Sequence, residues 1–149
     1  MEGPVTLRRF ALEDVEPVLA IQRACPELAQ WTQRDYERVA RDEMAGWVAT
    51  QDGTIIGFVV TRKIADEMEI LNLAVTADAR RRRVGSELLA ATFEWGCAER
   101  IRRACLEVRA SNLAAIRFYE QHKFEGIGRR PRYYTAPIED AIVLAREVD

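Results

Sequence analysis

The sequence predicts an α/β domain in which a mixed central sheet of about seven strands is flanked by about four helices. Three observations carry this expectation. Apolar runs flank an Asp52-Gly53 turn in the middle of the chain, the mark of an antiparallel hairpin. Two helix-period segments lie between the first strand pattern and that hairpin. Beyond Arg83, helix and strand patterns alternate as in a βαβα passage. The order is β-α-α-β-β-β-α-β-α-β-β.

V-T-L-R-R-F at 5–10 reads as the first strand. Glu13-Asp14 then introduces a helix with Val15, Val18, Leu19 and Ile21 on one side, ending before Pro26. A second helix follows Thr32, whose hydroxyl can cap the free amides, and gathers Tyr36, Val39 and Ala40. G-W-V-A-T-Q and T-I-I-G-F-V-V-T-R form the hairpin, and E-M-E-I-L-N-L-A-V-T adds a third antiparallel strand. Val84, Leu88, Leu89 and Trp95 recur at helical spacing. A-C-L-E-V-R-A is a buried-strand pattern, N-L-A-A-I-R-F-Y-E-Q-H a helix, and strands at about 124–134 and 140–147 complete the chain.

At 149 residues and 48% hydrophobic content, one domain spanning 1–149 is expected. The net charge of −2 makes Arg80-Arg81-Arg82-Arg83 a local feature, which disfavours general nucleic-acid affinity and leaves RNA binding a minor alternative. Cys25, Cys97 and Cys105 include no C-x-x-C pair, and His122 is the single histidine, so no metal site and a reducing compartment are expected. With no signal-like start and no run of about 18 apolar residues, the expected location is cytoplasmic, without membrane insertion.

The arginine run sits where a strand ends and a helix begins. Unpaired amides and the helix dipole can hold a phosphate there, with Gly85 allowing close approach; a solvated basic helix start is the competing reading. Strand alternation places Glu107 with Cys105 and Arg109 on the face opposite Leu106 and Val108. Asn112 is placed to cap the next helix, on which Ala115 and Tyr119 share a side. Each also has a structural reading: Glu107 paired with an arginine, Asn112 as a cap alone, Tyr119 in the core.

The combination resembles the GNAT acetyltransferase superfamily and, within it, the ribosomal-protein-alanine N-acetyltransferases. The family's [Q/R]-x-x-G-x-[G/A] pattern overlays Arg80 to Gly85. The segment L-E-V-R-A-S-N-L-A-A-I-R-F-Y-E-Q-H-K-F, with R-R-P-R-Y-Y after it, is similar to the subfamily's L-E-V-R-x-S-N-x-x-A-x-x-x-Y-x-x-x-G-F and its R-x-Y-Y close. Arg83 stands at the pattern's first glycine, where a helical conformation is expected to accommodate it, and Lys123 replaces the glycine before Phe124.

The resemblance implies the GNAT fold and acetyl-CoA as cosubstrate. Leu73, Ala74 and Val75 would meet its acetyl and pantetheine portions, Arg81, Arg82, Arg83, Val84, Gly85 and Ser86 its pyrophosphate, and Asn112 its pantetheine arm. Glu107 is matched to the general base, acting through water or with a pKa raised by burial, and Tyr119 to the general acid. The implied acceptor is a protein N-terminus, an alanine of a ribosomal protein. An α-amine of pKa about 8 is roughly a tenth neutral at pH 7, a lysine of about 10.4 only to a few parts in ten thousand. Tyr133 and Tyr134 could bond the acceptor backbone and Trp31 could wall its other side, or all three could be core. A GNAT acting on a small-molecule amine, or a non-catalytic acyl-CoA-binding or ribosome-associated module, are the alternatives.

Overall fold

The computed structural model describes residues 2–80 and 82–148. The elements follow the expected order: β1 (Val5–Arg9), α1 (Val15–Arg23), α2 (Gln33–Ala40), β2 (Ala45–Gln51), β3 (Thr54–Ile64), β4 (Glu67–Val75), α3 (Val84–Ala98), β5 (Arg103–Arg109), α4 (Leu113–Gln121), β6 (Glu125–Thr135) and β7 (Ile138–Glu147). The strands form one seven-stranded sheet in the order β1-β2-β3-β4-β5-β7-β6, antiparallel throughout except for the parallel pair β4–β5. Among the described residues, no helix is long and apolar enough to cross a membrane.

Both faces of the sheet's middle are covered, so β2 and β3 are apolar on successive residues. Val48, Phe58 and Val60 join Phe10, Val18, Leu19, Tyr36 and Val39 in a core under α1 and α2. Trp47, Ala49 and Val59 join Leu88, Leu89, Leu106, Phe124 and Leu144 in the core on the opposite face. Thr32 caps α2 as its sequence predicts, its hydroxyl accepting from the Asp35 amide at 3.2 Å while the Asp35 carboxylate returns a bond to the Thr32 amide at 2.8 Å.

Three helices end alike although none has glycine at the turning position. Asp42, Arg100 and Lys123 take positive φ of 62°, 60° and 70°. At each, the residue's own amide and the next one reach back to the helix's last carbonyls; for α4, Lys123 donates to Glu120 and Phe124 to Tyr119, both at 3.0 Å.

Two irregularities shape the cleft described below. Val60 pairs with Asn72 and Thr61 with Ile70, so Leu71 is an extra residue in β4. Because side chains alternate, the bulge exchanges faces: Met68 and Ile70 lie in the α3-side core, whereas Ala74 beyond it lies in the α1/α2-side core. The β4–β5 pairing also stops early, running from Glu67–Arg103 to Glu69–Cys105 and no further.

Candidate active site

Where β4 and β5 part, a cleft of about 500 Å³ opens between them. Ile70 to Val75 form one side and Leu106, Glu107 and Val108 the other, with the starts of α3 and α4 and the α1–α2 loop completing the walls. Of the residues singled out in the sequence, Leu73, Ala74, Val75, Arg83, Val84, Gly85, Ser86, Glu107, Asn112, Tyr119 and Tyr134 all line this cleft. Arg81 lies outside the described residues.

At the phosphate-binding candidate, no side chain caps α3, so its first amides stand open toward the cleft. Arg83 precedes the helix with φ 65° and ψ 16°. The expectation of an ordinary helical conformation is therefore corrected: this turn needs the left-handed region, which explains a glycine in the family pattern and costs a non-glycine about 1 kcal/mol. The Arg82 side chain turns away from the cleft, donating to Glu2, to Gln51 Oε1 at 3.2 Å and to the Asp78 carbonyl at 3.0 Å. Arg80 instead lines the cleft, its Nε donating to the Val75 carbonyl at 3.2 Å. Ser86 Oγ lies 3.0 Å from His122 Nε2, joining the start of α3 to the end of α4.

Glu107 points from β5 to the side opposite Leu106 and Val108, as alternation requires. Arg130 Nη1 donates to Oε1 at 2.7 Å, while Oε2 is buried with no partner among the described residues. An oxygen left this way costs roughly 1–3 kcal/mol, so it is a place where a ligand or water group belongs. Tyr119 comes from α4, its ring 5.2 Å from that of Phe118 and 5.4 Å from that of Phe124. Burial pushes its phenol well above the ordinary value and keeps it protonated at neutral pH. Among the described residues nothing hydrogen-bonds that hydroxyl. Asn112 caps α4, its Oδ1 accepting from the Ala115 amide at 3.2 Å; it lines the cleft at the same time.

The acceptor side is built by a second bulge. Arg130 pairs with Ala141 and Tyr134 with Glu139, so Pro131, Arg132 and Tyr133 stand against Asp140 alone. The Asp140 carboxylate fills the gap, accepting from the Arg132 amide at 3.0 Å and from Arg129 Nη1 at 2.7 Å. Tyr134 lines the cleft under the Arg109 guanidinium, 4.3 Å from its ring centre. Burial first, then the Glu107 charge, raises its phenol to about 12. Tyr133 is about half-exposed outside the lining, its ring under Arg130 at 4.9 Å, and burial, the Glu107 charge and the approach of its hydroxyl to Glu107 raise its phenol too.

Trp31 is not among the residues that line the cleft and packs against the α1/α2-side core, the second of its two readings. It packs on Tyr36 at 5.2 Å, and its backbone is held by Gln22, which also accepts from the Tyr36 hydroxyl. Asn72 extends this network from β4, donating to Ala29 and to Tyr36. The wall itself is Cys25, Glu27, Leu28 and Ala29. Sequence reasoning also missed Phe118, although its spacing from Ala115 puts both on one side of α4. Nothing in the local pattern marks the loop residues. Among the described residues, no cluster of His, Cys, Asp and Glu could hold a metal ion.

A profile of the acetyltransferase (GNAT) family matches residues 12–124. The [ribosomal protein bS18]-alanine N-acetyltransferase of Escherichia coli (strain K12) is 32% identical over 117 residues, 77% of this chain and 79% of that protein. The crystal structure of the ribosomal-protein-S18-alanine N-acetyltransferase from Escherichia coli superposes with a TM-score of 0.87 at 28% identity, covering 98% of this chain and 95% of that one. Ard1 from Thermoplasma volcanium gives the same TM-score of 0.87 at 32% identity, over 97% and 98%.

Proposed function

The chain belongs to the GNAT family and is an N-acetyltransferase using acetyl-CoA; we propose that its acceptor is the N-terminal α-amine of a protein, an alanine of a ribosomal protein. The single observation that carries the mechanism is that Glu107 and Tyr119 line one cleft together with Leu73, Ala74 and Val75. The acceptor assignment is supported by relatives named for ribosomal protein bS18 alanine.

The residues present suit acetyl-CoA: an uncapped helix start with Arg83 and Arg80 beside it for the phosphates, and the β5-facing edge of β4, free beyond Glu69, for the extended arm. Acetyl-CoA supplies an activated acyl group whose carbonyl carbon the amine attacks, forming a C–N bond as the C–S bond breaks. Glu107 takes the proton that the amine loses, directly or through one water, at the unpartnered Oε2. Tyr119 gives a proton to the departing sulfur, a role its burial-protected phenol is in the right protonation state to fill. The acceptor amine loses its proton easily, because an α-amine is about a tenth neutral already.

Acetyl-CoA turnover against peptides with free N-termini, N-terminally blocked lysine peptides and small amines tests the assignment. The highest kcat/KM is expected for a peptide beginning with alanine. Faster turnover of a small amine, or of the blocked lysine peptide, would contradict it.

A further inference from the structure

Glu107 is gripped on one oxygen only. Arg130 Nη1 holds Oε1 at 2.7 Å, whereas Oε2 is buried with no partner among the described residues. Arg130 is itself fixed on its other side, its guanidinium lying 4.9 Å from the centre of the Tyr133 ring. Tyr133 lies in the β6 bulge that begins just after Arg130, and Asp140 pins that bulge through the Arg132 amide and the Arg129 side chain. Regular pairing beyond Arg130 would carry Tyr133 to another register position. A glutamate's terminal torsion is broad and its two oxygens are chemically equal, so without a partner the carboxylate has no defined accepting atom.

We propose that Arg130 is a positioning residue for the base: by occupying Oε1 it stops the carboxylate from rotating and leaves Oε2 as the atom that takes the proton. Arg130 does not touch the reacting atoms and acts only through Glu107. The inference rests on Glu107 being the base. Half of the Arg130 side chain is exposed, so it can be changed without opening the core.

Kinetics of Arg130→Ala, Glu107→Gln and the double variant, with acetyl-CoA and an alanine-initiated peptide, test this as a double-mutant cycle. Small misplacements of catalytic groups cost up to about a hundredfold, so Arg130→Ala is expected to lower kcat by roughly ten- to a hundredfold with little change in the KM for acetyl-CoA. Arg130→Lys, which keeps a cation that can reach Oε1, should recover part of the loss. In the Glu107→Gln background, adding Arg130→Ala should change nothing further. Equal losses in both backgrounds would overturn the proposal while leaving Glu107 as the base, and so would a parental or raised kcat for Arg130→Ala. Parental turnover by Glu107→Gln would remove the base assignment and this proposal together. Arg130→Gln, neutral but still a donor, is carried through the same two backgrounds, so that the comparison stands even if alanine loosens the β6–β7 hairpin.

Discussion

Gly85 and Phe118 meet across the junction of α3 and α4: a β-carbon added at Gly85 would fall 3.2 Å from two carbons of the Phe118 ring. Both residues line the cleft, so this contact sets how far α4 stands from the open amides of α3. The glycine serves packing as well as any approach of a phosphate.

Gly85→Val should therefore push the Phe118 ring toward the space that acetyl-CoA needs. Calorimetric titration should show acetyl-CoA affinity at least about tenfold weaker, corresponding to roughly 1.4 kcal/mol. Adding Phe118→Leu should return part of it. Unchanged affinity in Gly85→Val would show that the turn does not face the ligand.

Arg83 and Lys123 hold φ of 65° and 70° at the two positions where the family patterns have glycine. Arg83→Gly and Lys123→Gly should each stabilise the fold, by about 0.5–1 kcal/mol in denaturant melts with an unchanged m-value. They should differ in binding. Arg83 lines the cleft, so its loss should also flatten the salt dependence of acetyl-CoA affinity, while Lys123→Gly should leave that dependence alone.

Most of the architecture was legible because its signals are local. The Asp52-Gly53 turn, the Thr32 cap and the alternation that sets Glu107 against Leu106 and Val108 each depend on a few neighbouring residues. Residue type and period place Glu107 on one face of β5 and Asn112 at the start of α4, while the roles of Glu107 and Tyr119 are what the family resemblance implies. What stayed hidden depends on distant partners. The β6 bulge is held by Asp140, eight residues beyond Arg132, and no strand pattern announces it. The β4 bulge at Leu71 exchanges faces within I-L-N-L-A-V, where apolar residues on successive positions hide the change. Trp31 could not be told from a wall residue, because its place is decided by Gln22 and Tyr36.

Tyr119→Phe removes a hydroxyl that bonds no described residue and keeps the ring contacts with Phe118 and Phe124. Stability should change by under about 0.5 kcal/mol. Single-turnover acetyl transfer should slow by about tenfold or more. A parental rate with lowered stability would assign Tyr119 to the core alone.

Burial, then the charges of Arg146 and Arg83, hold the His122 imidazole below its ordinary pKa. The folded state thus binds this proton less readily than the unfolded chain, whose histidine titrates near about 6.5. Stability linked to His122 is present above that pH and lost as pH falls through it. Denaturant melts between pH 7.5 and 5 should show a steeper loss for the parent than for His122→Gln. Parallel curves would contradict the assignment.

The chemistry proposed for the cleft runs through one carboxylate, and kcat of Glu107→Gln on an alanine-initiated peptide tests it most directly. Glutamine keeps the shape and cannot take the proton. The expected result is a fall of about a hundred- to ten-thousandfold with acetyl-CoA affinity unchanged. Turnover at the parental rate would leave Glu107 as the structural partner of Arg130 and contradict the account.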